Sequence, residues 1–380
     1  MKTDKNGYLD IMDIEFPKGC LKVSNLEPPM LYEIAISFFE KCNLRCKFCF
    51  QEHAKEYDRH FIETLPDKLQ PEITNILKKY PSIQQFNILM MGGELFADNL
   101  DEELFQSYYK FCNHMKTIFN TFFPTTRLHF VVGTNGVYKK RIRVLNFLNE
   151  FNIETCVSYD PIGRHPSPEV AKIARDTVKA FHICNGPVTI SSVLTKRNIH
   201  EVMTNPDYLK WLQSEYVSRV DLNWYIGNPN WEEDLPTDDE LAEFFKWCID
   251  NKLYKIKLIN MLFESVVNKS RERLCDCKFL LGVGQDKWTR NCIEHYSIFE
   301  NKLFYGNFSD ELTEENVSDV KTSLGVLKRG CLSCEYYETC QMPCWCSVLF
   351  KEFKPGICPL KQAMQYITKE HIEQWSKING

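Results

Sequence analysis

No stretch of this 380-residue chain reaches the roughly 18–20 uninterrupted apolar residues that span a bilayer. The opening segment, MKTDKNGYLDIMDIEF, lacks the apolar run of a secretory signal. Both absences predict a soluble, cytoplasmic chain with no membrane partner. A basic block with interleaved aromatics is also missing. With 46 Lys and Arg against 51 Asp and Glu the formal charge is −5, so nucleic acid is not an expected partner. Low-complexity tracts are absent, and no repeat is evident beyond a strand–helix unit. What the chain has in excess is cysteine. Seventeen residues, an odd number, argue in a reducing compartment for metal rather than for disulfides.

The length predicts a large domain plus an accessory one. After about 30 residues without pattern, strand candidates fall at 31–39, 83–91, 127–132, 153–159, 188–194 and 218–226. Helix candidates, with apolar residues recurring at three and four, lie between and after them at about 66–80, 101–119, 141–151, 167–182, 201–215 and 237–251. Six strand–helix units in a row imply a parallel sheet, because parallel neighbours need a crossover. Periodicity does not choose between an open wound sheet and a partial or full barrel. Either architecture binds ligands at the carboxyl ends of its strands. The alternation stops near 251, and a cysteine-dense region runs from Cys275 to Cys358.

The segment FFEKCNLRCKFCFQEH (38–53) carries Cys42, Cys46 and Cys49 just past the first strand candidate. Structural zinc wants four ligands, and the nearest further candidate, His53, stands at an unusual spacing. Three thiolates hold three corners of a four-iron cubane and leave the fourth iron open to an outside ligand.

This CxxxCxxC pattern, with Phe48 before its last cysteine, resembles the radical S-adenosylmethionine (SAM) superfamily. MMGGEL (90–95), at the end of the second strand, resembles that family's Gly-Gly-Glu segment and implicates Gly92, Gly93 and Glu94 in binding the methionine amino group of SAM. GTNG (133–136) ends the third strand, where Thr134 and Asn135 read equally as site residues and as a turn with Gly136. SYD (158–160) ends the fourth and is similar to the family's Ser-Leu-Asp-Gly, with Pro161 in place of the glycine. By this resemblance Ser158 contacts the ribose or carboxylate of SAM, Arg164 supplies a cation for that carboxylate, and Phe48 packs on adenine or shields the cluster. One-electron cleavage of SAM would give methionine and a 5′-deoxyadenosyl radical that abstracts a substrate hydrogen, while the protein positions the reactants and excludes water.

CLSCEYYETCQMPC (331–344), followed by Cys358 and preceded by Cys275, Cys277 and Cys292, resembles the SPASM extension of radical SAM enzymes. The resemblance implies two auxiliary clusters. Cys277, Cys292 and Cys344, with Cys275 as a candidate fourth ligand, would bind one. Cys331, Cys334, Cys340 and Cys358 would enclose the other. Cys346 matches nothing in the pattern, and Lys287 stands where relatives usually carry glycine. Cys20, Cys112, Cys156, Cys184 and Cys248 read as buried small apolar residues.

The expected fold is therefore α/β: an N-terminal segment (1–30), a partial (β/α)6 TIM-like barrel (31–251), a small Cys-rich α+β iron–sulfur domain (252–366) and a C-terminal tail (367–380). The expected cofactors are three [4Fe-4S] clusters and SAM, and the expected electron donor is a low-potential protein such as flavodoxin or ferredoxin. The leading reading is radical oxidation or crosslinking of a peptide or protein side chain. Alternatives are radical oxidation or rearrangement of a small molecule (sugar, aminocyclitol or nucleotide), sulfatase-maturing formylglycine formation, and a non-enzymatic iron–sulfur or zinc-binding module. Sulfatase-maturing relatives carry an aspartate base where this chain has Ile293, which leaves Glu294, Asp160 and Asp286 as acid–base candidates. About 30 residues before the first strand are too few for a leader-binding domain.

Overall fold

The structure, a computed structural model, describes residues 30–49, 51, 53–224, 233–268, 280–285, 288–289, 334–336, 339–340 and 358–379. Its centre is one sheet of eight strands: β1 (Leu31–Ser37), β2 (Gln85–Met91), β3 (Arg127–Thr134), β4 (Glu154–Ser158), β5 (Val188–Leu194), β6 (Arg219–Trp224), β7 (Leu280–Val283) and β8 (Trp288–Thr289). The spatial order is β6-β5-β4-β3-β2-β1-β7-β8, and every pair is parallel except β7 with β8. With β6 and β8 at its two ends, the sheet is open.

The connecting helices are α1 (Arg59–Lys79), α2 (Glu102–Phe122), α3 (Arg141–Phe151), α4 (Pro168–Asn185), α5 (Lys196–Thr204), α6 (Pro206–Leu212) and α7 (Asp238–Asp250). All six expected strands form, and each is followed by helix. Two helices depart from expectation. α1 starts at Arg59, ahead of position 66, because the Asp58 carboxylate accepts from the Phe61 N–H at 3.0 Å and caps it there. It then runs through Pro66 and Pro71, each of which removes a helical hydrogen bond. The burial of Phe61, Ile62, Leu65, Leu69, Ile73 and Ile76 offsets that loss. The stretch read as one helix over 201–215 is two, α5 and α6, since Pro206 cannot continue α5 and Asn205 caps the next helix through Asp207 and Tyr208 N–H.

The two faces of the sheet differ. Ile34, Ile36, Phe86, Ile88, Met90, Phe130, Val132, Val157, Ile190 and Val220 are at most 2% exposed and form one apolar face. The alternate positions include Glu33, Asn87, His129, Glu154, Cys156, Ser158, Ser191 and Asp221, all only half-buried. Parallel sheets usually carry apolar side chains on both faces, and this one departs from that on its second face.

The sheet does not stop at residue 251. β7 pairs with β1 from Glu33↔Leu280 to Ile36↔Val283, and a helix α8 (Lys257–Val267) packs on β6 after an Ile256 bridge to Val220. The region following 251 therefore contributes to the large domain as well. LLGV is too short to carry a readable period, which is why it escapes a periodicity reading. Helix α9 (Pro359–Tyr366) closes the 252–366 region, and the C-terminal tail from 367 holds a helix, α10 (Lys369–Asn379). Trp375, 6% exposed, stacks on Phe263 at 5.7 Å and donates to Asn260 Oδ1 at 2.7 Å.

Candidate functional site

Strand β1 leads into the cysteine segment without leaving the sheet, since Phe38 N–H still donates to Met91 O at 3.1 Å. Phe38 and Phe39 are fully buried and anchor the loop root. Gln285, just past β7, secures it from the other side by donating to Phe38 O at 2.7 Å and Glu56 O at 2.8 Å. From this root Cys42, Cys46 and Cys49 rise as three half-buried thiols, with Cys49 N–H donating to Cys46 O at 3.1 Å. Burial pushes all three thiols up, that of Cys46 to about 11, and Cys42 and Cys46 also feel the charge of Cys49. Unliganded, the trio resists ionisation; a metal that binds thiolate reverses this.

His53 takes no part, its Nδ1 lying 3.0 Å from Glu40 O. Among the described residues no three His, Cys, Asp or Glu side chains are placed to share a single ion. The donor set is instead three soft thiols held apart along one loop, with N–H donors aimed at two of the sulfurs: Asn135 Nδ2 at 3.6 Å from Cys42 Sγ and Arg164 Nη1 at 3.7 Å from Cys46 Sγ. A multi-iron cluster fits such a set, in chemistry and in outer-shell hydrogen bonding.

The Gly-Gly-Glu segment lies against the same loop. Gly93 N–H donates to Phe39 O at 2.8 Å and Glu94 N–H to Lys41 O at 3.0 Å. A Cβ on Gly92 would stand 2.5 Å from the Phe39 carbonyl oxygen, and one on Gly93 would overlap that of Lys41. The glycines thus let two backbones touch. Glu94 is fully buried; its carboxylate accepts from Phe96 N–H (3.0 Å), Thr134 Oγ1 (2.7 Å) and Asn135 N–H (2.6 Å). Burial pushes its carboxyl up to about 7 despite these bonds. Asn135 also donates to Asn43 Oδ1 at 2.8 Å, and Asn43 Nδ2 to Val137 O at 2.6 Å. The GTNG segment, whose Gly133 and Thr134 end β3, therefore ties Glu94 to the cysteine loop.

Ser158 ends β4 opposite Ser191, half-exposed. Asp160, expected among the acid–base candidates, is fully buried and accepts four hydrogen bonds: Ser192 Oγ (2.9 Å), Val193 N–H (2.6 Å), Asn198 Nδ2 (3.0 Å) and Arg164 Nε (2.6 Å). With both oxygens engaged it positions Arg164 and is not presented to a substrate. The Arg164 guanidinium lies 5.2 Å from the Phe48 ring centroid. Gly163, at φ +84°, allows the loop to bring its backbone beneath that ring. Phe48, Arg45, Lys47, Arg164, His165 and Arg197 help line a cavity of about 500 Å³ beside the cysteine loop.

His165 was not singled out by the sequence. It packs tilted against Tyr159, ring centroids 4.9 Å apart, and burial, with Arg164 beside it, holds its imidazole down to about 4, neutral at ordinary pH. Asn43, Ser192, Asn198 and Gln285 likewise carried no sequence signal, because their roles depend on partners from other strands.

Cys334, Cys340 and Cys358 are half-buried, and Cys340 N–H donates to Tyr336 O at 2.7 Å. Cys20, Cys275, Cys277, Cys292, Cys331, Cys344, Cys346, Asp286 and Glu294 lie outside the described residues. Cys112 and Cys248 are buried as expected. Cys184 is exposed in the last turn of α4, and Cys156 is half-buried on the polar sheet face, so neither is simply core.

Neither protein-family models nor curated protein sequences yield a match. Solved structures do. Native anSMEcpe with bound AdoMet and Cp18Cys peptide is 15% identical, with a TM-score of 0.63 over 92% of this chain and 100% of that one. Native anSMEcpe with bound AdoMet is 14% identical, with a TM-score of 0.60 over 92% and 98%. SuiB from Streptococcus suis is 14% identical, with a TM-score of 0.50 over 87% and 77%. At these identities the likeness establishes a shared fold.

Proposed function

We propose that the chain is a radical SAM enzyme that modifies a peptide or protein side chain by oxidation or crosslinking. The observation that carries this reading is the contact between two motifs: the three-cysteine loop after β1 and the Gly-Gly-Glu loop after β2, joined backbone to backbone at the carboxyl ends of adjacent parallel strands. Support for a peptide substrate comes from the fold shared with anSMEcpe, whose structure holds both AdoMet and a peptide.

Cys42, Cys46 and Cys49 would hold a [4Fe-4S] cluster with one iron open to SAM. When bound, cluster and SAM together supply one-electron cleavage of a carbon–sulfur bond and a carbon radical able to take a substrate hydrogen. The chain's own contribution is placement. Phe39 and Lys41 carbonyls fix the Gly-Gly-Glu backbone, and Glu94 Oε2, which takes one donor where Oε1 takes two, is the oxygen that would meet the SAM ammonium, a cation that favours the charged form burial disfavours. Thr134, Asn135 and Ser158 stand at neighbouring strand ends, where they would contact the rest of SAM, and Phe48 borders the cavity with its ring. Buried Phe38, Phe39 and Leu44 exclude water from the loop root.

The cysteines of the later region would hold two auxiliary clusters: Cys277, Cys292 and Cys344 with Cys275, and Cys331, Cys334, Cys340 and Cys358. Glu294 and Asp286 remain the acid–base candidates, and a flavodoxin or ferredoxin the electron source.

Anaerobically reconstituted protein given dithionite and SAM is expected to release 5′-deoxyadenosine, and the combined Cys42→Ala, Cys46→Ala, Cys49→Ala variant is not. Release that survives in the variant overturns the reading. Three clusters predict about twelve irons per chain, and about eight in the variant.

A further inference from the structure

We propose that Asp160 and Arg164 form a positioning pair that raises the reduction potential of the cluster held by Cys42, Cys46 and Cys49, Arg164 acting as an N–H donor to the Cys46 sulfur. This rests on the reading of the first site given above. It also departs from the expectation that Arg164 serves chiefly to bind the carboxylate of SAM.

The geometry is closely specified. Asp160 Oδ1 takes Ser192 Oγ, Val193 N–H and Asn198 Nδ2, which come from β5 and from α5, so its carboxylate cannot swing. Its Oδ2 takes Arg164 Nε at 2.6 Å, leaving the far end of the guanidinium to point Nη1 at Cys46 Sγ, 3.7 Å away. The backbone repeats the attachment. Gly163 O accepts from Lys47 N–H at 3.1 Å, and Arg164 O lies 3.9 Å from Cys46 Sγ. The guanidinium covers the Phe48 ring, and its side chain is only 12% exposed. A permanently charged fork with its Nε committed to a buried carboxylate and its Nη1 to a sulfur is oriented by the protein before any ligand arrives.

Adding an electron to a four-iron cluster makes it more negative by one charge, spread over iron and sulfur. An N–H donor at a ligating sulfur, with the positive end of the Arg164–Asp160 pair turned toward it and the carboxylate farther off, stabilises the reduced form more than the oxidised form, and so raises the potential. The electron comes from the external low-potential donor, and no proton needs to move.

The test is an EPR-monitored redox titration of the full-length reconstituted chain without SAM. The relevant signal is the one missing from the triple cysteine variant. Arg164→Gln is expected to lower the reduced-to-oxidised ratio at a fixed poise about tenfold, equal to 59 mV for one electron. Arg164→Lys, with a single nitrogen that Asp160 would retain, is expected to lower it severalfold. An unchanged midpoint in either variant overturns the proposal, and weaker SAM binding alongside it would assign Arg164 to the SAM carboxylate instead. If no signal disappears in the triple cysteine variant, the failure lies with the first-site reading. Iron content measured on every sample separates cluster loss from a shifted potential.

Discussion

Gly93 and Lys41 touch through their backbones so closely that the cysteine loop and the Gly-Gly-Glu loop behave as one piece. A methyl group on the Gly93 Cα would overlap the Lys41 carbonyl oxygen, and the obstructing atoms belong to backbone rather than to a side chain that could turn away. Gly93→Ala is therefore expected to cost at least the ~1–3 kcal/mol typical of overpacking, and to lower iron retention, since the loop must shift. Gly133→Ala is the control: its nearest neighbour would be the Met91 Cβ at 3.9 Å, and stability and iron content should stay near wild type. Thermal melting and iron assay check both.

Glu94 makes stability depend on pH in an unusual direction for a carboxylate. Its pKa is raised from 4.5 to about 7 by burial, so the folded chain holds the proton more tightly than the unfolded one. The resulting stabilisation is complete below about pH 4.5 and is lost as pH rises through about 7, amounting to about 3 kcal/mol. Glu94→Gln has no such titration. Urea unfolding of the cluster-free chain should show the stability of wild type minus variant falling by about that amount between pH 5 and 8.

Asp160→Ala would leave Arg164 charged and largely buried without its partner. Loss of one member of a buried ion pair costs about 3–5 kcal/mol, while Ser192→Ala, which removes one of four donors, should cost about 1 kcal/mol. Denaturant midpoints in the two variants should differ accordingly.

Trp375→Ala tests whether the chain's end is integral. The indole is buried, stacked on Phe263 and bonded to Asn260, so its removal should cost about 3–5 kcal/mol. An exposed surface position such as Ile378, 62% exposed in the same helix, should show less than about 0.5 kcal/mol on mutation to Ala. Unfolding curves of the two variants decide it.

The strands from Leu31–Ser37 to Arg219–Trp224 are legible in the sequence because each is a compact β-branched or aromatic run set off by an amphipathic segment. The start of α1 is harder to see: Pro66 looks like a helix beginning, and only the Asp58 cap shows otherwise. The site divides in the same way. Cys42, Cys46, Cys49 and Gly92 to Glu94 are visible as contiguous patterns. The second rank of residues is not: Asn198 reaches Asp160 from α5, Gln285 reaches Phe38 from beyond β7, and neither spacing recurs along the chain. Asp160 shows the same limit from the other side. Its position at a strand end suggests an exposed acid, and the four donors that consume it come from residues 164 to 198.

β1 lies inside the sheet, between β2 and β7, yet its neighbour β7 comes from a segment synthesised much later. During translation β1 stands for most of that interval with one row of N–H and C=O groups open, the condition in which strands join the wrong chain. Closing so distant a pair is slow. A shortened chain ending after α8 would keep every residue of the three-cysteine loop and still lose Gln285, the clasp on Phe38 that seats it. The root of that loop is thus held by one residue from the first strand's own neighbourhood and one more than two hundred positions away.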